Sequence, residues 1–221
     1  MQEVKRCKTK LKWSPNFAYA IGLIATDGNL NKDGRHISLT SKDLELIEKF
    51  KTSINSKAGI FKTCRNNEKE KRYYTVSISD KPFFNFLNKI GLTPAKSKTI
   101  QKVKVPKKYF IDFIRGVFDG DGSFYTFWDK RWPKSFGYQI SFASASKNFI
   151  AWLQKQLAIF YNVRGFIRLG DGVFVLRYVK RDSEKLFEAM YRRKENKLFL
   201  QRKYIKIKSA LEFNKLLKIK Q

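Results

Sequence analysis

The chain has 221 residues, is 43% hydrophobic, and carries 47 Lys and Arg against 19 Asp and Glu, a formal net charge of +28. That apolar share suffices for an ordinary core and excludes disorder, and no apolar run reaches the ~18 residues of a membrane helix, so no membrane span is expected. The positive charge is spread along the whole chain, which favours a long folded surface facing phosphates. The single histidine, His36, excludes a His-rich zinc site. Cys7 and Cys64 have no Cys-x-x-Cys partner and are expected to be reduced thiols. No signal-peptide pattern opens the chain, and an intracellular location (cytoplasm, nucleoid or organelle matrix) is expected.

In chain order, Ser14-Pro15 supplies a helix N-cap followed by proline at the first helical position. The apolar run it opens ends at Ala20-Ile21-Gly22-Leu23-Ile24-Ala25-Thr26-Asp27-Gly28. A strand-like stretch follows at Ile37–Lys42, then a helical pattern through Leu44, Ile47 and Phe50. Strands are predicted near 59–65 and 72–79 around the polar turn Arg65-Asn66-Asn67-Glu68, and a helix near 81–90. Residues 101–106 read as a linker, which divides the chain into halves 1–104 and 105–221. The order then repeats. A helical run ends in Ile114-Arg115-Gly116-Val117-Phe118-Asp119-Gly120-Asp121-Gly122, and a strand follows at Ile140–Lys147. A helix runs through Phe149, Trp152, Leu153 and Leu157. Strands near 163–169 and 173–179 flank the hairpin signal Gly170-Asp171-Gly172, and helices close the half near 183–193 and 199–218.

The two Asp-Gly helix ends carry the chemistry. An acid at a helix C-terminus faces a backbone dipole that is already negative, an unfavourable place unless something positive meets it. Gly28 and Gly122 suit the left-handed residue that stops a helix, which accounts for the glycines but not for the acids before them. Small residues recur four apart, Gly22 and Thr26 in one run, Gly116 and Gly120 in the other, and such stripes let helix backbones approach closely. If the runs pack on each other, Asp27 and Asp121 arrive side by side. Their repulsion is relieved by a divalent cation, and hard oxygen donors favour magnesium.

At these residues the chain resembles the LAGLIDADG homing endonucleases, in the single-chain form with two motifs. The resemblance covers roughly residues 14–210 and is strongest over Phe110–Phe124. It implies an α+β fold of two pseudo-symmetric αββαββα halves, with the motif helices at the central interface and antiparallel sheets forming a DNA-binding saddle. It implies a monomer that cuts both strands of DNA across the minor groove and leaves short 3′ overhangs. Two or three magnesium ions would be shared between the last acids of the motifs, here Asp27 and Asp121, with Thr26 and Gly120 beside them, and no small-molecule cofactor is implied. One basic residue late in each half is expected near the cut phosphates: Lys96, with Lys98 as alternate, and Lys203, with Arg202 as alternate. Ser41 and Ser144 or Ser146 could position water, although serine there is also an ordinary helix cap. The first motif departs from the family at Ala25, where the second keeps an acid, Asp119.

Long polar side chains on the strands are the candidate contacts to double-stranded DNA. In the first half these are Asn29, Asn31, Arg35, Ser38, Thr40, Lys62, Arg65, Arg72 and Tyr74. In the second they are Ser123, Tyr125, Arg131, Gln139, Ser141, Arg164, Arg168, Arg177 and Lys180. The halves differ at matching positions, so the expected site is not palindromic. Intron maturase activity on the same fold and a non-catalytic basic nucleic-acid-binding role are the alternatives. Retention of both acids favours the nuclease.

Overall fold

The structure is a computed structural model and describes residues 9–64, 72–192 and 198–219. Cys7, Arg65 and the turn predicted at 65–68 lie outside the described residues. Cys64 is an exposed free thiol.

Two helices form the centre. Helix α1 (Pro15–Thr26) starts where its sequence says it should, with the Ser14 Oγ accepting from the Phe17 N–H at 3.1 Å. Every residue from Phe17 to Ala25 is buried, as expected of a helix apolar on all sides. Helix α4 (Phe110–Asp121) follows a single 3₁₀ turn at Lys107–Tyr109 and is buried from Phe110 to Asp119. The two pack backbone to backbone. A Cβ on Gly22 would run into the Phe113 carbonyl oxygen and lie 2.8 Å from the Val117 nitrogen. One on Gly116 would run into the Tyr19 carbonyl oxygen and lie 3.0 Å from the Gly22 Cα. The glycine stripes therefore set how closely the helices approach.

Each motif helix feeds a four-stranded antiparallel sheet. The first consists of β1 (Gly28–Leu30), β2 (His36–Ser41), β3 (Ile60–Thr63) and β4 (Tyr73–Ser79), in the order β1-β2-β4-β3. The second consists of β5 (Gly122–Asp129), β6 (Trp132–Ser144), β7 (Phe166–Leu169) and β8 (Phe174–Val179), in the equivalent order β5-β6-β8-β7. Helices α2 (Leu44–Ser53) and α3 (Lys81–Ile90) accompany the first sheet; α5 (Lys147–Tyr161) and α6 (Lys180–Tyr191) accompany the second. The αββαββα repeat is thus present twice. Side-chain alternation sends Ile37, Leu39, Val76 and Ile78 inward on the first sheet and Phe124, Ile140, Phe142 and Leu176 inward on the second, all buried.

The expectation for Gly28 and Gly122 is corrected. Neither is left-handed: Gly122 has φ −82° and ψ 150°, and Gly28 has no positive φ. The left-handed helix ends are at Gly91 (φ 105°) and Asn162 (φ 50°). The chain instead leaves each motif helix straight into a strand that folds back over the last helical turn. A Cβ on Gly28 would lie 2.6 Å from the Ile24 Cα, and one on Gly122 2.5 Å from the Phe118 carbonyl oxygen. Glycine is required there for space.

The second half carries more than the first. Its β5–β6 hairpin is long, and helix α7 (Gln201–Ile219) lies along it. Near the C-terminal end of α7, the Phe213 ring packs on Trp128 at 6.3 Å and Phe136 at 5.0 Å, and the Asn214 amide donates to the Tyr138 hydroxyl at 3.3 Å. Inside the same half, Arg115 is 2% exposed. Its guanidinium donates to Asp112 at 2.8 Å and to the Met190 and Leu198 carbonyls, each at 2.9 Å, joining α4 to the end of α6 and the approach to α7.

Candidate functional site

The acids closing the two motif helices come together. Asp27 is the C-cap of α1, its N–H donating to the Leu23 carbonyl at 2.9 Å, and Asp121 is the last residue of α4. The packing that joins the helices carries the Asp27 carboxylate across to α4: a Cβ on Gly120 would lie 2.5 Å from the Asp27 Oδ2. Burial raises the Asp27 carboxyl to about 6, and repulsion from Asp121 pushes the same way. Burial also raises Asp121.

Each acid has a lysine near it, Lys96 buried and Lys203 half-buried, held in equivalent ways. The Lys96 ammonium donates to the Gly28 carbonyl, immediately after Asp27. The Lys203 ammonium donates to the Gly122 carbonyl at 2.6 Å, immediately after Asp121, and to the Phe118 and Asp119 carbonyls at 2.6 and 2.8 Å. Burial lowers each lysine to about 8, against the pull of the acids. The alternates are placed elsewhere. Lys98 is exposed, and the Arg202 guanidinium pairs with Asp43 at 2.8 Å.

The donor set fits a hard divalent cation. Asp27 and Asp121 bring two carboxylates close enough to repel, and the described residues contain no cluster of three or more His, Cys, Asp or Glu. Magnesium habitually takes one or two carboxylates and completes its shell with water and substrate phosphate. The Thr26 hydroxyl lies 3.1 Å from the Leu23 carbonyl of its own helix and 3.3 Å from the Asp27 Oδ2, and its hydrogen bond to that carboxylate works against the rise. The Gly120 carbonyl lies 3.4 Å from the Lys203 ammonium. Beside Asp121 a cleft of about 210 Å³ is lined by Ala25, Thr26, Ser97, Ser144 and Ala145. The small Ala25 side chain helps leave that space open. Ser144 borders the cleft, whereas Ser146 caps α5 and Ser41 accepts from the Asp43 N–H.

The raised carboxyl has a consequence for stability. Between pH 4 and 6 the folded protein keeps on Asp27 a proton that the unfolded chain releases, so this group's contribution to stability falls as pH rises through that window and stays lost above it. Without divalent metal, Asp27→Asn should be more stable than wild type by about 1–3 kcal/mol at pH 7, with the gap closing towards pH 4. Urea denaturation in chelator at both pH values measures it; a gap that widens on acidification contradicts the assigned environment.

The candidate DNA contacts divide by face. On the first sheet Asn29, Ser38 and Thr40 share the face away from the helices, with the Thr40 hydroxyl 2.8 Å from that of Thr75. Asn31 follows β1 and accepts from the Asn29 amide at 2.7 Å. Arg35 and His36 lie at the β1–β2 turn beside Asp33. Lys62 and Tyr74 are corrected: they pair with each other on the helix side, where the Tyr74 ring packs against the core beneath the Lys62 ammonium. Arg72 is exposed and precedes β4. A one-residue error in reading alternation moves a strand residue to the wrong face. The residues that take the outer face are Phe61, 63% exposed, with Thr63, Tyr73, Thr75 and Ser77.

On the second sheet Ser123 and Tyr125 (β5), Gln139 and Ser141 (β6), Arg177 (β8) and Arg168 (β7) share the outer face. Gln139 and Ser141 are only 4% exposed, which corrects their reading as open contacts; Ser141 is tied to Ser123, hydroxyl to hydroxyl, at 2.7 Å. The Arg168 guanidinium lies 5.4 Å above the Phe166 ring. Arg131 is at the hairpin tip, paired with Asp129. Arg164 is exposed ahead of β7, and Lys180 opens α6 with its ammonium donating to Ser135 at 3.0 Å.

Comparison with known proteins agrees with this fold. A family described as "LAGLIDADG-like domain" matches residues 14–91. In structure the chain resembles the N-terminal LAGLIDADG domain of DUF199/WhiA, at 17% identity and a TM-score of 0.56, over 90% of this chain and 88% of that one. It also resembles the homing endonuclease I-DmoI in complex with DNA and Ca, at 22% identity and a TM-score of 0.53, over 83% of this chain and 93% of that one. The uncharacterized protein MJ0314 of Methanocaldococcus jannaschii is 26% identical over 164 residues, 71% of this chain and 59% of that protein. The chain thus aligns with about three fifths of that relative's length. With a LAGLIDADG-like match over its first half, a second half that repeats the same fold, and both motif acids at one interface, the chain has the LAGLIDADG fold in a two-motif arrangement.

Proposed function

We propose that the protein is a site-specific homing endonuclease that makes a magnesium-dependent double-strand cut in a long, non-palindromic DNA site, leaving short 3′ overhangs. One observation carries this reading: Asp27, half-buried, and Asp121, open to solvent, are held close enough to repel, with the buried Lys96 and the half-buried Lys203 beside them. Carboxylates repel phosphates, so a protein that only bound nucleic acid would gain by losing them. The fold is shared with DUF199/WhiA, which is not named as an endonuclease, so the acids and not the fold carry the assignment. I-DmoI complexes with DNA and Mn, and with DNA and Ca, support the expected substrate and the use of a divalent ion.

In this reading the outer sheet faces bind the duplex and the net charge of +28 supplies much of the affinity. Asp27 and Asp121 orient oxygen donors toward the two scissile phosphates. When bound, magnesium would supply Lewis-acid polarisation of the phosphates and a more acidic attacking water. Lys96 and Lys203, lowered to about 8 yet still protonated near neutral pH, place positive charge where the pentavalent phosphorane builds up negative charge. The test is linear duplex DNA carrying the rejoined flanks of the gene, with and without magnesium. A break in both strands at one place, only with the metal, is expected; binding without cutting in magnesium or manganese overturns the reading in favour of a maturase or a non-catalytic binder.

A further inference from the structure

The halves match at their acids and lysines but not at the residue two before each acid. In the first half it is Ala25; in the second it is Asp119, 1% exposed. The Asp119 Oδ2 accepts from the Leu200 N–H at 2.9 Å and from the Tyr19 hydroxyl at 2.7 Å. Leu200 is the residue from which α7 starts, since its carbonyl accepts from the Tyr204 N–H at 3.1 Å. Lys203 therefore sits three residues beyond the point that Asp119 holds. The same first turn is tied to the other half through Gln201 N–H to Glu45 at 3.2 Å and Arg202 to Asp43 at 2.8 Å. The second oxygen of Asp119 is buried with no hydrogen-bond partner among the described residues. A half-satisfied buried carboxylate is a costly way to fill space, and Ala25 shows that the fold does without one at the matching position.

Building on the endonuclease reading, we propose that Asp119 is a positioning residue for one of the two cuts: it fixes the start of α7 and so sets where the Lys203 ammonium meets the end of α4. It touches neither substrate nor metal. Lys96 is held differently: it lies in the turn after α3, where the Ile100 N–H donates to the Lys96 carbonyl at 2.8 Å and the Ser146 hydroxyl donates to the Ile100 carbonyl, and no carboxylate stands at position 25. The two strands are therefore served by differently braced lysines. A displacement of about 1 Å in a group at the reacting centre costs up to ~100-fold in rate, so loss of the brace is expected to fall on one strand.

The experiment follows nicking of each end-labelled strand of a duplex that the wild-type protein cuts, under single turnover, for wild type, Asp119→Ala, Asp119→Asn, Tyr19→Phe and Lys203→Met. Asp119→Ala should slow one strand about tenfold or more, the same strand that Lys203→Met slows, with the other strand within about threefold and the half-saturating protein concentration unchanged. Asp119→Asn keeps an oxygen for Leu200 and Tyr19 and should restore most of that strand's rate. Equal slowing of both strands, no slowing, or an Asn variant as slow as Ala overturns the proposal. If Asp119→Ala does not fold, Tyr19→Phe decides: selective slowing of the Lys203 strand supports the proposal, and an unchanged strand ratio overturns it. Failure of the endonuclease reading looks different, since wild type then cuts neither strand and both ideas fall.

Discussion

On the endonuclease reading, Asp27→Asn and Asp121→Asn should each reduce double-strand cleavage by about 100- to 1,000-fold, the usual cost of removing one preorganised group from a reacting centre, while the protein is expected still to fold and to bind DNA. Asparagine nearly matches aspartate in shape, so the C-cap of α1 and the packing on Gly120 are retained. What is lost is a formal charge on a donor that a divalent ion must recruit. Without metal, binding should stay level or tighten, because each substitution removes a negative charge that faces phosphate. A time course on linear DNA in magnesium, paired with a binding titration in chelator, reads both effects. Because each acid belongs to a pair, either single variant should abolish the coordinated break in both strands. Wild-type cutting by either variant would remove these residues from the chemistry.

Gly116→Ala is the largest structural effect expected. Alanine is favoured over glycine inside a helix by about 1 kcal/mol, so helix propensity alone predicts a gain. Packing overrules it. The added methyl would run into the Tyr19 carbonyl oxygen and approach the Gly22 Cα to 3.0 Å and the Leu23 nitrogen to 3.1 Å. All three are backbone atoms of a helix buried from Phe17 to Ala25, so no rotamer change provides relief and the helices must separate. Overpacking against backbone on all sides is expected at the upper end of the usual range, about 3 kcal/mol, a large part of the ~5–15 kcal/mol that holds a domain together. Urea denaturation measures the loss. Gly34→Ala is the control: Gly34 has φ 74° with nothing near its missing Cβ, so only backbone strain of about 1 kcal/mol is expected. Equal costs at the two positions would mean that the tight helix contact does not govern stability.

Much of the architecture was legible because local and global signals agree. Ser14-Pro15 caps α1, Gly170-Asp171-Gly172 turns β7 into β8, and the two small-residue stripes predicted a close helix pair that the Gly22 and Gly116 contacts display. The faces of β4 were less legible. Tyr73-Tyr74-Thr75 reads as polar and aromatic on both sides, and only counting back from Val76 and Ile78, both buried, puts Tyr74 inside and Tyr73 outside. The glycines after the acids misled because the same residue serves a left-handed cap and a crowded passage, and sequence does not distinguish them. Arg115 had one readable partner, Asp112 three residues earlier. Its other acceptors, the Met190 and Leu198 carbonyls, come from distant segments that only the tertiary fold brings near. Asp119 was read as a retained motif residue, and nothing local pointed to Tyr19 or Leu200.

Helix α7 gives this near-twofold molecule a keel on one side only. It plants a lysine beside Asp121 and, ten residues on, lays Phe213 under the long β5–β6 hairpin, a span of about 15 Å along a single helix. Lys96 instead reaches the Gly28 carbonyl at the start of β1 from a turn after α3, with no helix running on beneath its hairpin. The matching parts at the centre are thus mounted on unequal frames, one lysine on a helix that also carries a hairpin and the other on a short turn.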